Sequence, residues 1–193
     1  MGVEFELKYT ADPETQEKIF AEFFRNCQRY QMATTYYDTP SGSLSARHIT
    51  LRCRMENGEA VCTVKTPMEG YGRGEWDCRC DDIRKSIPML CDQGAPKELI
   101  SLTAEGVQEV CGARFDRRAA SVAFGEGMLE IALDRGVLTG GGKEEPLCEV
   151  EVELKSGAPE LAIAFATQLK ESYHLIPQKK SKFRRALDLA KGE

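Results

Sequence analysis

Apolar and charged residues alternate at the start of the chain. In residues 3–9, VEFELKY, every second residue is apolar, and the residues between are Glu4, Glu6 and Lys8. A period of two predicts a strand with one apolar face and one charged face. Two neighbouring carboxylates repel each other, and a divalent metal would offset their charge because hard cations bind carboxylate oxygens. The alternative for this strand alone is a solvated edge strand.

Two later segments repeat this separation of charge. Glu149, Glu151 and Glu153 share one face of the segment CEVEVELKSG, and Glu130 and Asp134 share one face of LEIALDRG. Both segments carry apolar residues at the alternate positions, so both are predicted to be strands with an acidic face.

Other segments are basic on one face. Arg52 and Arg54 lie together in TLRCRM, and Lys65 shares a face with Thr63 in CTVKT. A flat sheet would leave all these charges in water. A closed antiparallel barrel with a polar interior would instead gather both signs around one small anion and its metals.

The coarse map favours an α+β fold. A helix is predicted from Pro13, with Asp12 as its N-cap, to about Arg29, and further helices over 96–111 and 159–174. Hairpins with inserted helices favour a barrel over alternating βαβ units. Further strands are predicted near residues 33–38, 49–55, 59–66, 75–80, 114–124, 127–134 and 147–155.

Length and composition bound the function classes. A chain of 193 residues with 41% hydrophobic residues predicts one domain with a real core, and no apolar run is long enough to span a membrane. The absence of a secretory signal predicts a cytoplasmic protein whose eight cysteines are reduced. A net charge of −5, with basic residues interleaved among acidic strands, disfavours nucleic acid as a partner.

Two common kinds of chemistry lack sequence support. The chain has only His48 and His174, and neither lies in a serine or cysteine motif that would indicate a nucleophilic triad. The glycine-rich stretches at 70–74 and 140–143 match neither the dinucleotide fingerprint nor the P-loop, so they are predicted to connect strands. Any phosphate would therefore be held by side chains.

The order of these motifs resembles a known family. They run nearly end to end: Glu4-x-Glu6-x-Lys8, Tyr36-Tyr37-Asp38-Thr39, Leu51-Arg52-x-Arg54, Thr63-x-Lys65, Glu75, Phe115-x-Arg117, the two acidic strands, and Ser181-Lys182-x-x-Arg185. The chain resembles the CYTH superfamily, the triphosphate tunnel metalloenzymes, and is most similar to the bacterial inorganic triphosphatase branch. The resemblance implies one domain over 1–193, built as a closed eight-stranded antiparallel barrel with helices packed outside.

The resemblance also implies a site. Mg²⁺ or Mn²⁺, two ions per site, would be bound by carboxylates, first by Glu4, Glu6, Glu151 and Glu153, and additionally by Glu130, Asp134, Glu149 and Glu75. The role of Asp77 is left open, and Arg118 is expected to face outward. Catalytic roles are expected for Lys8, Glu6 and Glu75. Phosphate oxygens would be bound by Lys8, Arg52, Arg54, Lys65, Arg117, Lys182 and Arg185.

The expected function is metal-dependent hydrolysis of inorganic triphosphate to diphosphate and phosphate by a monomer or homodimer. Water activated by a metal would replace a histidine base. A class IV adenylyl cyclase or a thiamine triphosphatase is the alternative on the same fold. Either would need an aromatic platform, for which Trp76, Tyr36, Tyr37 and Tyr71 are candidates. A non-catalytic binder of polyphosphate or nucleotide is a third reading, disfavoured because it would gain nothing from the carboxylates.

Overall fold

The computed structural model describes residues 2–68 and 72–192 of the chain. Within those ranges, ten strands form one antiparallel sheet. The strands are β1 (Gly2–Glu4), β2 (Glu6–Thr10), β3 (Gln28–Asp38), β4 (Thr50–Glu56), β5 (Glu59–Pro67), β6 (Arg73–Arg79), β7 (Gln108–Phe124), β8 (Gly127–Gly140), β9 (Lys143–Ser156) and β10 (Ile176–Pro177).

The sheet is open in its hydrogen bonding. Its strand order is β1-β6-β5-β4-β3-β7-β8-β9-β2-β10, and no pairing joins β1 to β10 in the described ranges. The predicted closed eight-stranded barrel is therefore wrong. The antiparallel pairing is present as predicted in a tunnel-like sheet. The helices Pro13–Phe23, Ile83–Asp92 and Pro159–Tyr173 pack outside it, whereas the helix Lys182–Lys191 packs against its inward face.

The first strand explains part of this difference. The strand predicted over residues 3–9 is divided at Phe5, so that β1 pairs with β6 while β2 pairs with β9. The carbonyl of Phe5 accepts a hydrogen bond from the N–H of Leu154 at 2.9 Å. One short N-terminal segment thus supplies two strands to two different neighbours.

Six helices accompany the sheet in the described ranges. They are α1 (Pro13–Phe23), α2 (Ser43–Ala46), α3 (Ile83–Asp92), α4 (Glu98–Leu102), α5 (Pro159–Tyr173) and α6 (Lys182–Lys191). None of these helices combines the length and the hydrophobicity that a membrane crossing requires. The predicted cap of α1 is confirmed, because the Asp12 carboxylate accepts the N–H of Thr15 at 2.7 Å.

Two helix boundaries predicted from sequence are wrong. The helix predicted to reach Arg29 ends at Phe23, because β3 begins at Gln28. The helix predicted over 96–111 shortens to α4, and β7 begins at Gln108. The glycine interpreted as that helix's stop, Gly112, lies inside β7, where a Cβ would stand 2.8 Å from a carbonyl oxygen of β3. A close approach of two strands, rather than a helix end, requires this glycine.

The two larger apolar clusters lie outside the curved sheet, and two smaller ones lie on its inward face against α6. Ile19 of α1 and Phe165 of α5 pack with outward residues of β8 and β9 such as Leu129 and Val152. A second cluster joins β4, β5 and β6 to α3. Because the helices cover the apolar face, the opposite face of the same strands is free to be polar.

Helix α1 is fixed to the sheet by one buried amide. Gln16 is fully buried, and its Nε2 donates to the carbonyls of Asp134 at 3.1 Å and Glu149 at 2.8 Å. Its Oε1 accepts from Nε of Arg135 at 3.1 Å. All these partners lie on β8 and β9, behind the charged face.

We expect Gln16→Leu to lower the free energy of unfolding by about 1–3 kcal/mol, because two buried carbonyls lose their donor. Urea unfolding followed by circular dichroism measures this. The matched control is Gln168→Leu on the exposed face of α5, expected to stay within about 0.5 kcal/mol of wild type. Equal stability of the two variants would contradict the docking role of Gln16.

Candidate functional site

The inward face of the sheet encloses one charged cavity of about 380 Å³. Strands β1 to β9 and the start of α6 all contribute side chains to it. The predicted site residues that line it are Glu4, Glu6, Lys8, Arg52, Arg54, Lys65, Glu75, Arg117, Glu130, Glu151, Glu153 and Lys182. Asp134, Glu149 and Arg185 are not among its lining residues and lie in an ion network beside it.

Strand register produces an acidic row on one wall. Glu6 of β2 stands opposite Glu153 of β9, which stands opposite Glu130 of β8. Lys8 donates to Glu6 at 2.7 Å, and Lys155 lies 2.8 Å from Glu153 and 3.6 Å from Glu130. Sequence reasoning missed Lys155, although it continues the alternation of the acidic segment on β9. We call Glu6, Glu153 and Glu130 the outer acidic row.

The facing wall pairs basic residues with two more glutamates. Lys65 contacts Glu4 and lies 3.3 Å from Glu75, and Arg52 lies 3.6 Å from Glu75. Arg73, which sequence reasoning also missed, stands opposite Glu4 in the register of β1 and β6 and lines the cavity. The sequence could have indicated Arg73, because it lies two residues before Glu75 on the same strand and so shares its inward face.

Burial and neighbouring charges shift several pKa values in the cavity. Burial alone would lower the pKa of Lys8, but Glu6 and Glu151 outweigh it and the pKa is raised. Burial raises the pKa of Glu153, against the effect of nearby Lys155. Burial, followed by repulsion from other guanidinium groups, lowers the pKa of Arg54 to about 10.

A second acidic group lies deeper and is balanced by cations. The ammonium of Lys182 lies 2.8 Å from Asp134, 2.6 Å from Glu149 and 2.6 Å from Glu151. Arg117 makes two hydrogen bonds of 2.7 Å to Asp134 and also contacts Glu151. We call Asp134, Glu149 and Glu151 the inner acidic triad.

The inner acidic triad combines metal-compatible spacing with strong cationic pairing. One carboxylate oxygen from each member lies within 4.8 Å of the others, a spacing that suits a divalent ion. Burial opposes ionisation of Glu151, yet Lys182 and Arg117 hold its pKa well below the usual range. Burial would lower the pKa of Lys182, and the three carboxylates raise it instead. The arrangement therefore stabilises the charged forms of Glu151 and Lys182, whereas at Glu149 burial outweighs the neighbouring cations and raises the pKa.

Helix α6 carries Lys182 into the sheet. Ser181 is its N-cap, and its hydroxyl accepts the N–H of Arg184 at 3.1 Å. Arg185 faces the same way as Lys182 and contacts Glu149. An apolar contact also holds α6 in place, because the ring of Phe183 packs on the ring of Tyr36 with centroids 5.2 Å apart. The segment that begins with Ser181-Lys182-x-x-Arg185 is thus a helix docked on the sheet.

The aromatic candidates for a stacking platform are mostly engaged elsewhere. Trp76 is buried in the apolar cluster that joins β4, β5 and β6 to α3, and Tyr37 packs against that cluster. Tyr36 lines the cavity but is covered by Phe183. Tyr71 lies outside the described residues.

The two histidines lie away from the cavity lining. His174 caps α5 with a φ of 54°, as its position at the predicted helix end indicated. His48 is in the connection before β4 with a φ of 57°. The cavity is therefore lined by carboxylates, ammonium groups and guanidinium groups without imidazole among the described lining residues.

The sequence of the chain matches the model of one protein family. The family model described as the CYTH domain matches residues 2–187. An inorganic triphosphatase from Haemophilus influenzae is 30% identical over an alignment of 162 residues, and the match covers 80% of this chain and 46% of that protein. The chain thus spans less than half the length of that relative.

Solved structures agree on the fold. PH1819 from Pyrococcus horikoshii OT3 is 25% identical with a TM-score of 0.66, and the match covers 97% of this chain and 99% of that one. A Hippeastrum protein named for adenylyl cyclase, and described as having a dominant triphosphatase activity, is 16% identical with a TM-score of 0.66. That match covers 100% of this chain and 97% of the other, and it concerns the fold alone.

We expect Lys182→Met to lower the free energy of unfolding by about 3–5 kcal/mol, because it leaves three buried carboxylates without their shared cation. Urea unfolding measures the loss. Lys97→Met, at an exposed position before α4, is the control and should unfold like the wild type. A Lys182→Met protein of normal stability would show that the inner acidic triad does not depend on this ammonium.

Proposed function

Because the chain belongs to the CYTH family, we propose that it is a metal-dependent enzyme that hydrolyses inorganic triphosphate to diphosphate and phosphate. The observation that carries the proposal is a single cavity of about 380 Å³ lined by both cations and carboxylates. Cations alone would serve an anion binder. Cations together with carboxylates serve an anion that arrives with metal ions.

The basic side chains are proposed to bind the phosphate oxygens. Arg52 and Arg54 offer planar guanidinium groups, which bind phosphate through two parallel hydrogen bonds. Lys65 and Lys8 act as point charges on facing walls. An ammonium has three donors, and the bond from Lys8 to Glu6 uses one of them, so the others can reach substrate oxygens.

The carboxylates of the cavity fit a divalent metal. Glu4, Glu75 and the outer acidic row supply hard oxygen donors from five different strands, which is the donor type that Mg²⁺ and Mn²⁺ prefer. When bound, such a metal would offset phosphate charge and lower the pKa of a bound water. The binding of two ions, and the inclusion of Asp134, Glu149 and Glu151 among their ligands, stay predictions.

The chain's own contribution is placement and charge. Phosphoryl transfer needs little covalent chemistry from the protein, so catalysis rests on holding the phosphate chain and stabilising its developing charge. Lys182 and Arg117 are already fixed by the inner acidic triad, and they approach the cavity from its floor. Little reorganisation is then needed when the substrate enters.

The alternatives on this fold have less support from the site. A nucleotide cyclase or a thiamine triphosphatase must bind an organic group beside the phosphates. Trp76 and Tyr37, two candidates for stacking on such a group, pack in the apolar cluster of β4, β5, β6 and α3 instead. A silent binder would not require the outer acidic row. The single-domain organisation, the monomeric or dimeric state and the cytoplasmic location stay predictions.

We expect phosphate release from inorganic triphosphate with Mg²⁺ or Mn²⁺ to exceed release from ATP and thiamine triphosphate by at least about tenfold in kcat/KM, a difference of ~1.4 kcal/mol in transition-state binding. A chelator should abolish the activity. The formation of cyclic AMP from ATP is measured in parallel. A preference for ATP or thiamine triphosphate, or turnover that survives the chelator, would overturn the proposal.

Glu6→Gln removes one carboxylate charge from the outer acidic row without removing volume. We expect kcat/KM on inorganic triphosphate to fall by about a hundredfold or more, because metal binding and charge placement are both weakened. Glu98→Gln, exposed on α4, is the control and should keep normal kinetics. Near-normal turnover of Glu6→Gln at saturating Mg²⁺ would exclude a role as ligand.

Arg52 and Arg118 form a second matched pair. Arg52 faces the cavity, whereas Arg118 faces outward and binds Glu17 at 3.0 Å. Arg52→Ala is expected to lower kcat/KM by about tenfold or more through lost phosphate contacts, and Arg118→Ala should leave it unchanged. Steady-state kinetics on both variants test whether Arg52 binds phosphate. If Arg52→Ala and Arg118→Ala have the same kcat/KM, the phosphate chain does not contact Arg52.

A further inference from the structure

The ring of Phe115 is shared by three cations of the site. It lies on β7, where the side chain is buried at 5% exposure. The distances from the ring centroid are 5.6 Å to Cζ of Arg54, 5.8 Å to Cζ of Arg117 and 5.4 Å to Nζ of Lys182. Cations within about 6 Å of a ring centroid are attracted by the negative face of the ring. One ring thus connects cations from β4, β7 and α6.

Packing fixes the position of this ring. Phe115 stands opposite Gly136 of β8, where a Cβ would lie 2.5 Å from the Cα of Phe115 and 2.7 Å from its Cβ. The two strands approach so closely that only a glycine fits opposite the ring. The ring also packs with Met32, Leu138 and Leu147.

Arg54 depends on the ring more than the other two cations do. Its Nε donates to the hydroxyl of Thr34 at 2.9 Å, and the nearest carboxylate, that of Glu56, is 3.8 Å away. Repulsion from Arg52 adds to the cost of burying this charge. Lys182 and Arg117, in contrast, are paired with the inner acidic triad at 2.8 Å or less.

An aromatic face and a carboxylate offset a positive charge in different ways. A carboxylate accepts hydrogen bonds and so occupies the donors of a guanidinium group. The face of a phenyl ring attracts the cation without accepting a strong hydrogen bond, so the N–H groups stay available to an incoming anion.

We propose that Phe115 is a positioning residue for Arg54, which it holds at a fixed spacing from Arg117 and Lys182 while leaving the remaining guanidinium donors of Arg54 to a phosphate chain. The inference rests on the proposed function, because it takes inorganic triphosphate as the anion. It predicts that the electron density of the ring, and not only its volume, sets the affinity of the site.

A fluorination series at Phe115 tests this directly. Site-specific replacement by mono-, di- and trifluorophenylalanine withdraws electron density from the ring face and adds little volume. We expect the Kd for inorganic triphosphate, measured by calorimetry, to rise at each step and by about fivefold or more across the series. A residue that only fills space would give no such trend.

Leucine substitutions supply the matched control. Phe165 is also 5% exposed, but it packs on Phe23 and Phe124 outside the sheet. Phe115→Leu and Phe165→Leu should both lower the unfolding midpoint, and only Phe115→Leu should weaken triphosphate binding, by about tenfold. A trifluorinated protein that binds with wild-type affinity would overturn the inference, and so would a Phe115→Leu protein that does.

The same measurements separate this inference from the proposed function. If the wild type binds inorganic triphosphate without hydrolysing it, the proposed activity is wrong, while the fluorination series still decides the role of Phe115. If the wild type does not bind inorganic triphosphate, both proposals are overturned. Hydrolysis with a flat fluorination series overturns only the inference.

Discussion

The ion network around Lys182 is the constraint on which the site depends. Asp134 and Glu149 are fully buried and Glu151 nearly so, and three such carboxylates remain ionised only with cations placed among them. Lys182 supplies that charge from α6, a helix distant in sequence from β8 and β9. The network therefore joins the C-terminal helix to the sheet and gives the cavity its floor. Removing any one of its charges leaves the others uncompensated at low dielectric.

The two acidic groups consequently have different chemistry. Side chains of the outer acidic row keep about a quarter of their surface exposed, at 24% for Glu6, 26% for Glu153 and 23% for Glu130. Members of the inner acidic triad at Asp134 and Glu149 have none exposed. A lysine can leave a carboxylate, and a metal ion can take its place, at a lower cost in free energy where water already reaches that carboxylate. We therefore propose that a metal binds at the outer acidic row, whereas the carboxylates of the inner acidic triad are paired with Lys182 and Arg117.

The sequence predicted which side chains share a face of a strand, but it predicted much less well which strands pair with each other. A period of two placed Glu6, Glu151 and Arg52 on inward faces, because the direction of a side chain on a strand is set locally. Which strand lies beside which depends on contacts far apart in the chain, so the division of the first strand at Phe5 was not predictable from its alternation. The bond from Leu154 that accompanies this division comes from the other end of the chain.

Two further errors have the same origin. The helix predicted over 96–111 rested on Gly112 as a stop, whereas strand contact explains that glycine. Lys155 was not predicted as a site residue, although its side chain lies 2.8 Å from Glu153 and 3.6 Å from Glu130. In both cases a tertiary neighbour decided the role of the residue.

The position of the core explains how one sheet can hold so many charges. Apolar clusters lie between the sheet and the helices, so most of the hydrophobic stabilisation comes from outward residues such as Leu51 and Val152. Many inward positions are then released from packing and can be chosen for charge. The apolar and the charged systems meet at Phe115, which packs in an inward cluster while its ring centroid lies 5.4 Å from Nζ of Lys182. We expect changes at Phe115 and Lys182 to alter stability and ligand affinity together, whereas changes at outward residues such as Leu51 should alter stability alone.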